Sequence, residues 1–448
     1  MKFFDREKEI GLLKEIQAES FESARFTVIT GRRRIGKTSL VLKAYEGQPL
    51  LYFFVGRKTE KDLCEEYTRE IEEKLELPVL GNTSRFYDVF EYVLKIASSR
   101  QIILFIDEFQ EFDKVNPSIF GDIQKLWDLY RNKSKINLIV SGSVYSLMHK
   151  IFFDRQQPLY SRASHLIKLR PFTPSVIREI MQFYNPAYSP DDLLALYAFT
   201  GGVAKYIELL IDSKAYSKEK MINRIVCDGS SFLEEGKIVL LNEFGKDYGR
   251  YFSILSAIAS GHTKRSGIEN IIGEEISGYL SRLETDYEII EKRQPILEKT
   301  TSKNVRYGIR DNFLTFWFRF VFKFNYLLEI GNYSRLRRIV KDGYDVFSGF
   351  MLERYFIEVL KEKEKFSRIG QWWDRKGEYE IDIVAIDEFD RLIEFYEVKR
   401  NPVKISIPLL EEKIMHFMQV NPEMAKYAKT VEGLSLYDVT AEGRSLSR

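Results

Sequence analysis

The sequence predicts an α/β protein built on a parallel sheet in three layers, and three observations carry that prediction. A β-branched run, RFTVIT at 25–30, ends in a glycine loop that opens into a helical pattern. A continuous apolar run, IILFI at 102–106, stops abruptly at two carboxylates, as a buried parallel strand reaching a reactive edge would. Further apolar strands, LLYFFV at 50–55 and INLIVSGS at 136–143, alternate with helical segments such as KTEKDLCEEYTREIEEKLEL.

The 448 residues exceed what one hydrophobic core organises, so several domains are expected. The 68 basic and 66 acidic side chains leave a net charge of only +2, so any contact with a polyanion has to be a local patch. The two cysteines, Cys64 and Cys227, lie far apart and have no neighbours at metal-ligand spacing. This excludes a disulfide framework or zinc site and fits a reducing, cytoplasmic setting. MKFFDREKEIGLLKEI breaks its apolar residues with charge and reads as an amphipathic helix. FLTFWFRFVFKFNYLLEI is interrupted by Arg319 and Lys323, so neither a leader nor a membrane span is expected.

The loop GRRRIGKTSL matches G-x-x-x-x-G-K-[ST] through Gly31, Arg32, Arg33, Arg34, Ile35, Gly36, Lys37 and Thr38, with Ser39 next. The glycines let the backbone turn its N–H groups onto phosphate oxygens, and the following helix adds its positive end. Lys37 is placed to reach the β and γ phosphates and Thr38 to ligate Mg²⁺. The three arginines make the mouth basic. After the apolar strand, Asp107 is placed to hold Mg²⁺ through its water shell and Glu108 to act as general base on water. Ser141 and Ser143 either contact the γ-phosphate or attacking water or cap a turn. ATP and GTP are not separated by these residues alone.

In order, FFDREKEI, GRRRIGKTSL, YFFVGRK, FIDEFQEF, VSGS, PLYSRAS, LRPFT and TGGVAKYIELL resemble the prokaryotic, archaeal-type AAA+-related ATPases, which are similar to the STAND NTPases. The resemblance covers about the first half of the chain and implies ATP as the nucleotide. It sets Arg6 and Glu9 near the adenine side and makes Arg162 a finger or sensor on the γ-phosphate. This chain departs from the family with Ala204 where proline is usual, and with serine at a sensor position that often holds asparagine.

The expected division is an ATPase core over 1–170, a helical lid over 171–235, a winged-helix-like connector over 236–330 and a last domain over 331–448. In the connector, three short helical patterns precede a two-stranded hairpin. Its recognition helix carries Glu274, Glu275, Glu284 and Asp286 against Arg282. Phosphates repel such a helix, so a connector role is favoured, with Lys303, Arg306 and Arg310 of the hairpin left to touch a nucleic-acid backbone.

In the last domain, SRLRRIVKD offers Arg335, Arg337, Arg338 and Lys341 as a basic patch or a solvated helix face. IDIVAI and LIEFYEV flank the turn DEFDR as a hairpin. Asp382 opens the first strand, and Glu397 and Lys399 alternate onto one face of the second. With Glu353 on a preceding helix, these residues resemble the PD-(D/E)xK nuclease core, with Ile381 in place of proline. The resemblance implies a restriction-endonuclease-like α/β domain. Asp382, Glu397 and Glu353 would bind Mg²⁺, and Lys399 would position water. The alternative is an amphipathic hairpin without chemistry. The preferred reading of the whole is an ATP-dependent protein acting on DNA, as a homo-oligomer or with a partner protein. The alternative is a STAND-like regulatory switch whose last domain only binds a partner or DNA.

Overall fold

A computed structural model describes residues 1–78, 83–244, 248–299 and 301–440. The chain divides into two compact units, residues 5–170, and residues 1–4 together with 171–448.

The first unit is built on five strands: β1 (Arg25–Thr30), β2 (Leu50–Phe54), β3 (Ile102–Asp107), β4 (Ile136–Ser141) and β5 (His165–Lys168). They run in the spatial order β2-β3-β4-β1-β5, and every neighbouring pair is parallel. Strand alternation sends successive side chains to opposite faces. Phe26, Val28, Leu104, Ile106, Leu138 and Val140 join one core, shared with the helices Glu60–Leu75, Phe86–Ala97 and Ile119–Tyr130. Ile29, Ile103, Phe105 and Ile139 join the other, shared with Glu7–Glu19 and Lys37–Ala44. Two helical layers therefore enclose the sheet, which is why β3 and β4 are buried along their whole length. Because β4 lies between β1 and β3, the carboxyl ends of three strands distant in sequence sit side by side.

The second unit begins with helices. Thr200 ends the helix Pro190–Thr200, and Gly201 takes the left-handed conformation at φ 58° that closes it. Next come Tyr248–Ala259, Arg265–Ile272 and Ser277–Thr285, then an antiparallel ribbon of β6 (Ile290–Arg293) and β7 (Arg306–Ile309). The aromatic stretch that follows is helical throughout but changes its winding along the way. Asn312–Phe316 is α-helical, Trp317–Val321 is a π-helix, and Phe322–Phe324 is a 3₁₀ turn. A 30-residue helix, Tyr333–Glu362, leads into a second sheet.

That sheet holds β8 (Arg368–Trp373), β9 (Glu380–Asp387), β10 (Leu392–Lys399) and β11 (Ala428–Ser435), in the order β11-β10-β9-β8. β9 and β10 form the hairpin around DEFDR, with Leu392 opposite Asp387. β11 returns parallel to β10 after the helix Ile407–Val420. One hydrophobic cluster runs through this unit from Phe4 and Phe172 to Val439, so its helical and sheet parts share a core. Among the described residues, no helix is long and apolar enough to cross a membrane.

Candidate active site

The glycine loop leaves β1 after Thr30 and closes on the helix Lys37–Ala44, with Gly36 at its N-cap at φ 99°. A Cβ on Gly31 would meet the Leu169 carbonyl oxygen at 2.7 Å, so only a hydrogen side chain fits where the loop passes that segment. Lys37 is buried, and its ammonium donates to the loop's own carbonyls, Gly31 at 2.8 Å and Arg32 at 3.2 Å. Loss of water pulls its pKa down to about 8, opposed by Glu108 and Asp107 and reinforced by Arg33. Arg34 adopts a left-handed φ of 66°. Ile35 packs into the core beneath the loop, and Ser39 is exposed on the helix.

Asp107 ends β3 beside this loop, and three hydroxyls converge on it. Thr38 Oγ1 donates to Oδ2 at 2.6 Å, Tyr52 Oη donates to the same oxygen at 3.3 Å, and Ser141 Oγ makes a short bond to Oδ1. Glu108 turns out of the strand in a left-handed conformation at φ 54°. Its Oε2 accepts from Ser143 Oγ at 2.7 Å and from Gln110 Nε2 at 2.6 Å. Left-handed backbone at a non-glycine residue is uncommon and concentrates at functional positions. Burial, and then the Asp107 charge, hold the Tyr52 phenol above its usual range, so it remains a neutral donor.

This arrangement suits a magnesium triphosphate. The Asp107 carboxylate is held by neutral hydroxyls, so its charge stays available to a cation. The Lys37 ammonium rests on carbonyls that phosphate oxygens can replace. Sequence reading missed Tyr52 and Gln110. Gln110 lies two residues after Glu108 in a motif already marked, whereas Tyr52 reaches Asp107 only because β2 pairs with β3.

Arg6 is buried and donates to the Arg170 carbonyl at 2.7 Å and to Glu9 at 3.2 Å, so the two residues of the opening motif bond to each other. Arg162 pairs with Asp128 at 3.1 Å and donates to the Tyr160 carbonyl at 3.0 Å. Among the described residues, no ion pair joins it to Asp107 or Glu108.

The second sheet brings together the other expected group. Lys399 Nζ lies 2.7 Å from Asp382 Oδ2 and 3.0 Å from Glu397 Oε1. Lys413, on the helix Ile407–Val420, binds the other oxygen of Glu397 at 2.9 Å, and the Val398 N–H donates to Asp382 at 2.8 Å. Glu353 accepts from Gln371 Nε2 at 2.8 Å. Its pKa is pushed up to about 8, first by burial and then by the charges of Asp382 and Glu380. Asp382 is raised too, chiefly by burial, against the pull of Lys399. Among the described residues, no three His, Cys, Asp or Glu side chains group to hold a metal ion. An ammonium lies between the two carboxylates instead. Lys413 and Gln371 gave no sequence signal. Of the suggested basic patch, Arg337 donates to the Val226 carbonyl at 3.0 Å, Lys341 pairs with Glu219 and Arg338 with Asp342.

The glycine loop, its buried lysine and the acidic end of the buried strand β3 define an ATPase domain of the P-loop class. Residues 3–210 match the model of an ATPase domain predominantly from Archaea, and residues 317–407 match a family of archaeal and bacterial proteins of unknown function. An uncharacterized protein of Methanocaldococcus jannaschii is 31% identical over 413 residues, covering 90% of this chain and 88% of its own. The chain belongs to this archaeal-type ATPase family. Among solved structures, the Walker-type ATPase of Pyrococcus abyssi matches with a TM-score of 0.54 at 20% identity, over 71% of this chain and 96% of its own; that likeness speaks for the fold. The ORC2 protein of Aeropyrum pernix, in ADPNP–ADP complexes, matches with a TM-score of 0.48 at 12% identity, over 76% and 96%.

Proposed function

We propose that the protein binds ATP with Mg²⁺, hydrolyses it, and acts on or is regulated by nucleic acid, in the cytoplasm. The observation that carries the ATPase half is the convergence of the Thr38, Tyr52 and Ser141 hydroxyls on Asp107, beside a buried lysine that rests on its own loop. Lys37 exchanges the Gly31 and Arg32 carbonyls for β- and γ-phosphate oxygens, and the loop N–H groups and the helix end hold the rest of the chain of phosphates. Thr38 and Asp107 would hold Mg²⁺, which supplies charge neutralisation on the phosphate oxygens. Glu108, aimed by Ser143 and Gln110, takes the proton of the attacking water. Arg162 would act as a finger on a neighbouring subunit's γ-phosphate. Mixing an Arg162→Ala chain with a Lys37→Ala chain should then restore activity, and failure to complement removes that role.

Lys37→Ala should weaken ATP binding by about a hundredfold or more, because one charged phosphate contact is lost from a desolvated site. Titration calorimetry on the full chain checks this. Unchanged affinity overturns the assignment.

For the remainder we read a helical lid over 171–235, a winged-helix-like connector over 236–330 and a nuclease-like domain over 331–448. The order of three helices and the β6–β7 ribbon supports the connector. The hairpin placement of Asp382, Glu397 and Lys399 supports the nuclease-like domain, where Asp382, Glu397 and Glu353 would be the Mg²⁺ ligands. A second reading has its own observation. Lys399 and Lys413 already neutralise Asp382 and Glu397, which favours a domain that binds nucleic acid or a partner without cutting. Mg²⁺-dependent cleavage of DNA or RNA, lost in Asp382→Ala, selects the first reading; binding without cleavage selects the second.

A further inference from the structure

Apart from both carboxylate clusters, the second unit holds an open cleft of about 1270 Å³ beside the β6–β7 ribbon and β8. Among the described residues, six cations line it, Lys264, Arg265, Lys292, Lys299, Lys303 and Arg375, against one carboxylate, Glu298. We infer that this cleft binds the sugar–phosphate backbone of a nucleic acid strand. The inference rests on the nucleic-acid half of the reading above and gives it a location.

The chain as a whole carries only +2, so this concentration of one sign does not follow from composition. Arg265 is paired with Glu269 and Glu275, and Arg375 lies 4.0 Å from Glu298. Among the described residues, Lys264, Lys292, Lys299 and Lys303 take part in no ion pair, so their charges face the cleft uncompensated. Uncompensated lysines facing one concave space repel one another, and a polyanion relieves that repulsion while releasing its own counterions.

The cleft is also firmly built. Arg306 forms a two-pronged pair with Glu380 at 2.7 and 3.1 Å and lies 4.2 Å over the Trp373 ring. Trp373 Nε1 donates to Asn304 Oδ1 at 2.8 Å, and the Ile296 N–H donates to the Gln371 carbonyl at 2.8 Å. These bonds fasten Ile296, Asn304 and Arg306 of the ribbon to β8 and β9. Asn304 lines the cleft, and its amide N–H₂ finds no acceptor, an unusual state for a buried donor. Trp372, which lines the cleft, pairs with Ile381 on β9, the residue before Asp382, so a strand in the cleft borders the element that carries the acidic group. The volume is far more than one phosphate group fills, and its concavity suits a strand better than a membrane surface.

The test is fluorescence anisotropy of labelled single-stranded DNA, duplex DNA and RNA with the full chain, without ATP, across salt concentrations. The cleft variant is Lys292→Gln, Lys299→Gln and Lys303→Gln together. A control variant, Lys61→Gln, Lys95→Gln and Lys205→Gln, changes net charge equally. The cleft variant should bind about tenfold more weakly than wild type at moderate salt, with the slope of log affinity against log salt shallower by about 2. The control should bind like wild type, and both should keep the wild-type far-ultraviolet circular dichroism. Equal binding by the cleft variant and the control overturns the cleft while leaving nucleic-acid binding elsewhere intact. Failure of the wild type to bind any of the three nucleic acids overturns the cleft and the nucleic-acid reading together. Binding confined to vesicles containing anionic lipid overturns both as well.

Discussion

Asp107 and Glu108 end a buried strand in the first unit, and Asp382 and Glu397 lie on buried strands of the second, yet the partners of the two pairs differ in kind. Hydroxyls and an amide hold the first pair: Thr38, Tyr52 and Ser141 on Asp107, Ser143 and Gln110 on Glu108. Ammonium groups hold the second: Lys399 between both carboxylates, Lys413 on Glu397. A neutral donor orients a carboxylate and leaves its charge for an incoming cation, and a hydroxyl can turn to offer its own lone pairs to that cation. An ammonium has already met the charge, so a divalent ion entering the second pair must displace it. The same residue types at strand ends thus serve a waiting site in one place and a largely self-neutralised one in the other.

The sharpest break of this contrast is at Glu108. Glu108→Gln keeps shape and donors but removes the base, so turnover should fall by about a thousandfold while nucleotide affinity stays within about threefold. Phosphate release together with equilibrium binding checks both halves, and retained turnover would place the base elsewhere. At the second pair the effect should be on folding. Lys399→Met strips Asp382 of its ammonium and should cost about 2 kcal/mol, most of it recovered in the Asp382→Asn, Lys399→Met double variant. Urea unfolding measures this, and a neutral single variant would contradict the pairing.

The smallest effect is expected at Asp191, a third cation-held carboxylate, bonded to Lys218 at 2.6 Å and Arg400 at 2.9 Å. Burial alone would raise its pKa, but the bonds from Arg400 and Lys218 overcome this and set it below the ordinary value. Its stabilising contribution is therefore present above the unfolded Asp pKa of about 3.9 and is lost as pH falls through the lower folded value. Asp191→Asn should lower the melting temperature at neutral pH and make the fall in stability below pH ~4 less steep. Parallel melting curves for the two proteins would contradict it.

Much of this was legible in the sequence, for a physical reason. The glycine loop, the acidic strand end and the hairpin around DEFDR are local patterns, and RFTVIT coincides with β1. What was not legible depends on tertiary neighbours. β5, the half-exposed edge strand HLIK, is too short to show a period. Tyr52 and Lys413 join their sites through sheet order and helix packing. The ribbon cations Arg306 and Arg310, read as free to meet a backbone, are tied to Glu380 and to the Ile290 carbonyl. Of the unpaired lysines of the cleft, Lys292, Lys299 and Lys303 stand on the one ribbon, where the sequence marked Lys303, and Lys264 joins them only through the fold.

The contrast between the two carboxylate pairs is tested most directly by equilibrium binding of Mn²⁺ to the full chain in the presence of ATP, followed by electron paramagnetic resonance. Tight ATP-dependent uptake is expected, abolished in Asp107→Asn and unchanged in Asp382→Asn. Uptake that persists in Asp107→Asn and disappears in Asp382→Asn would contradict it.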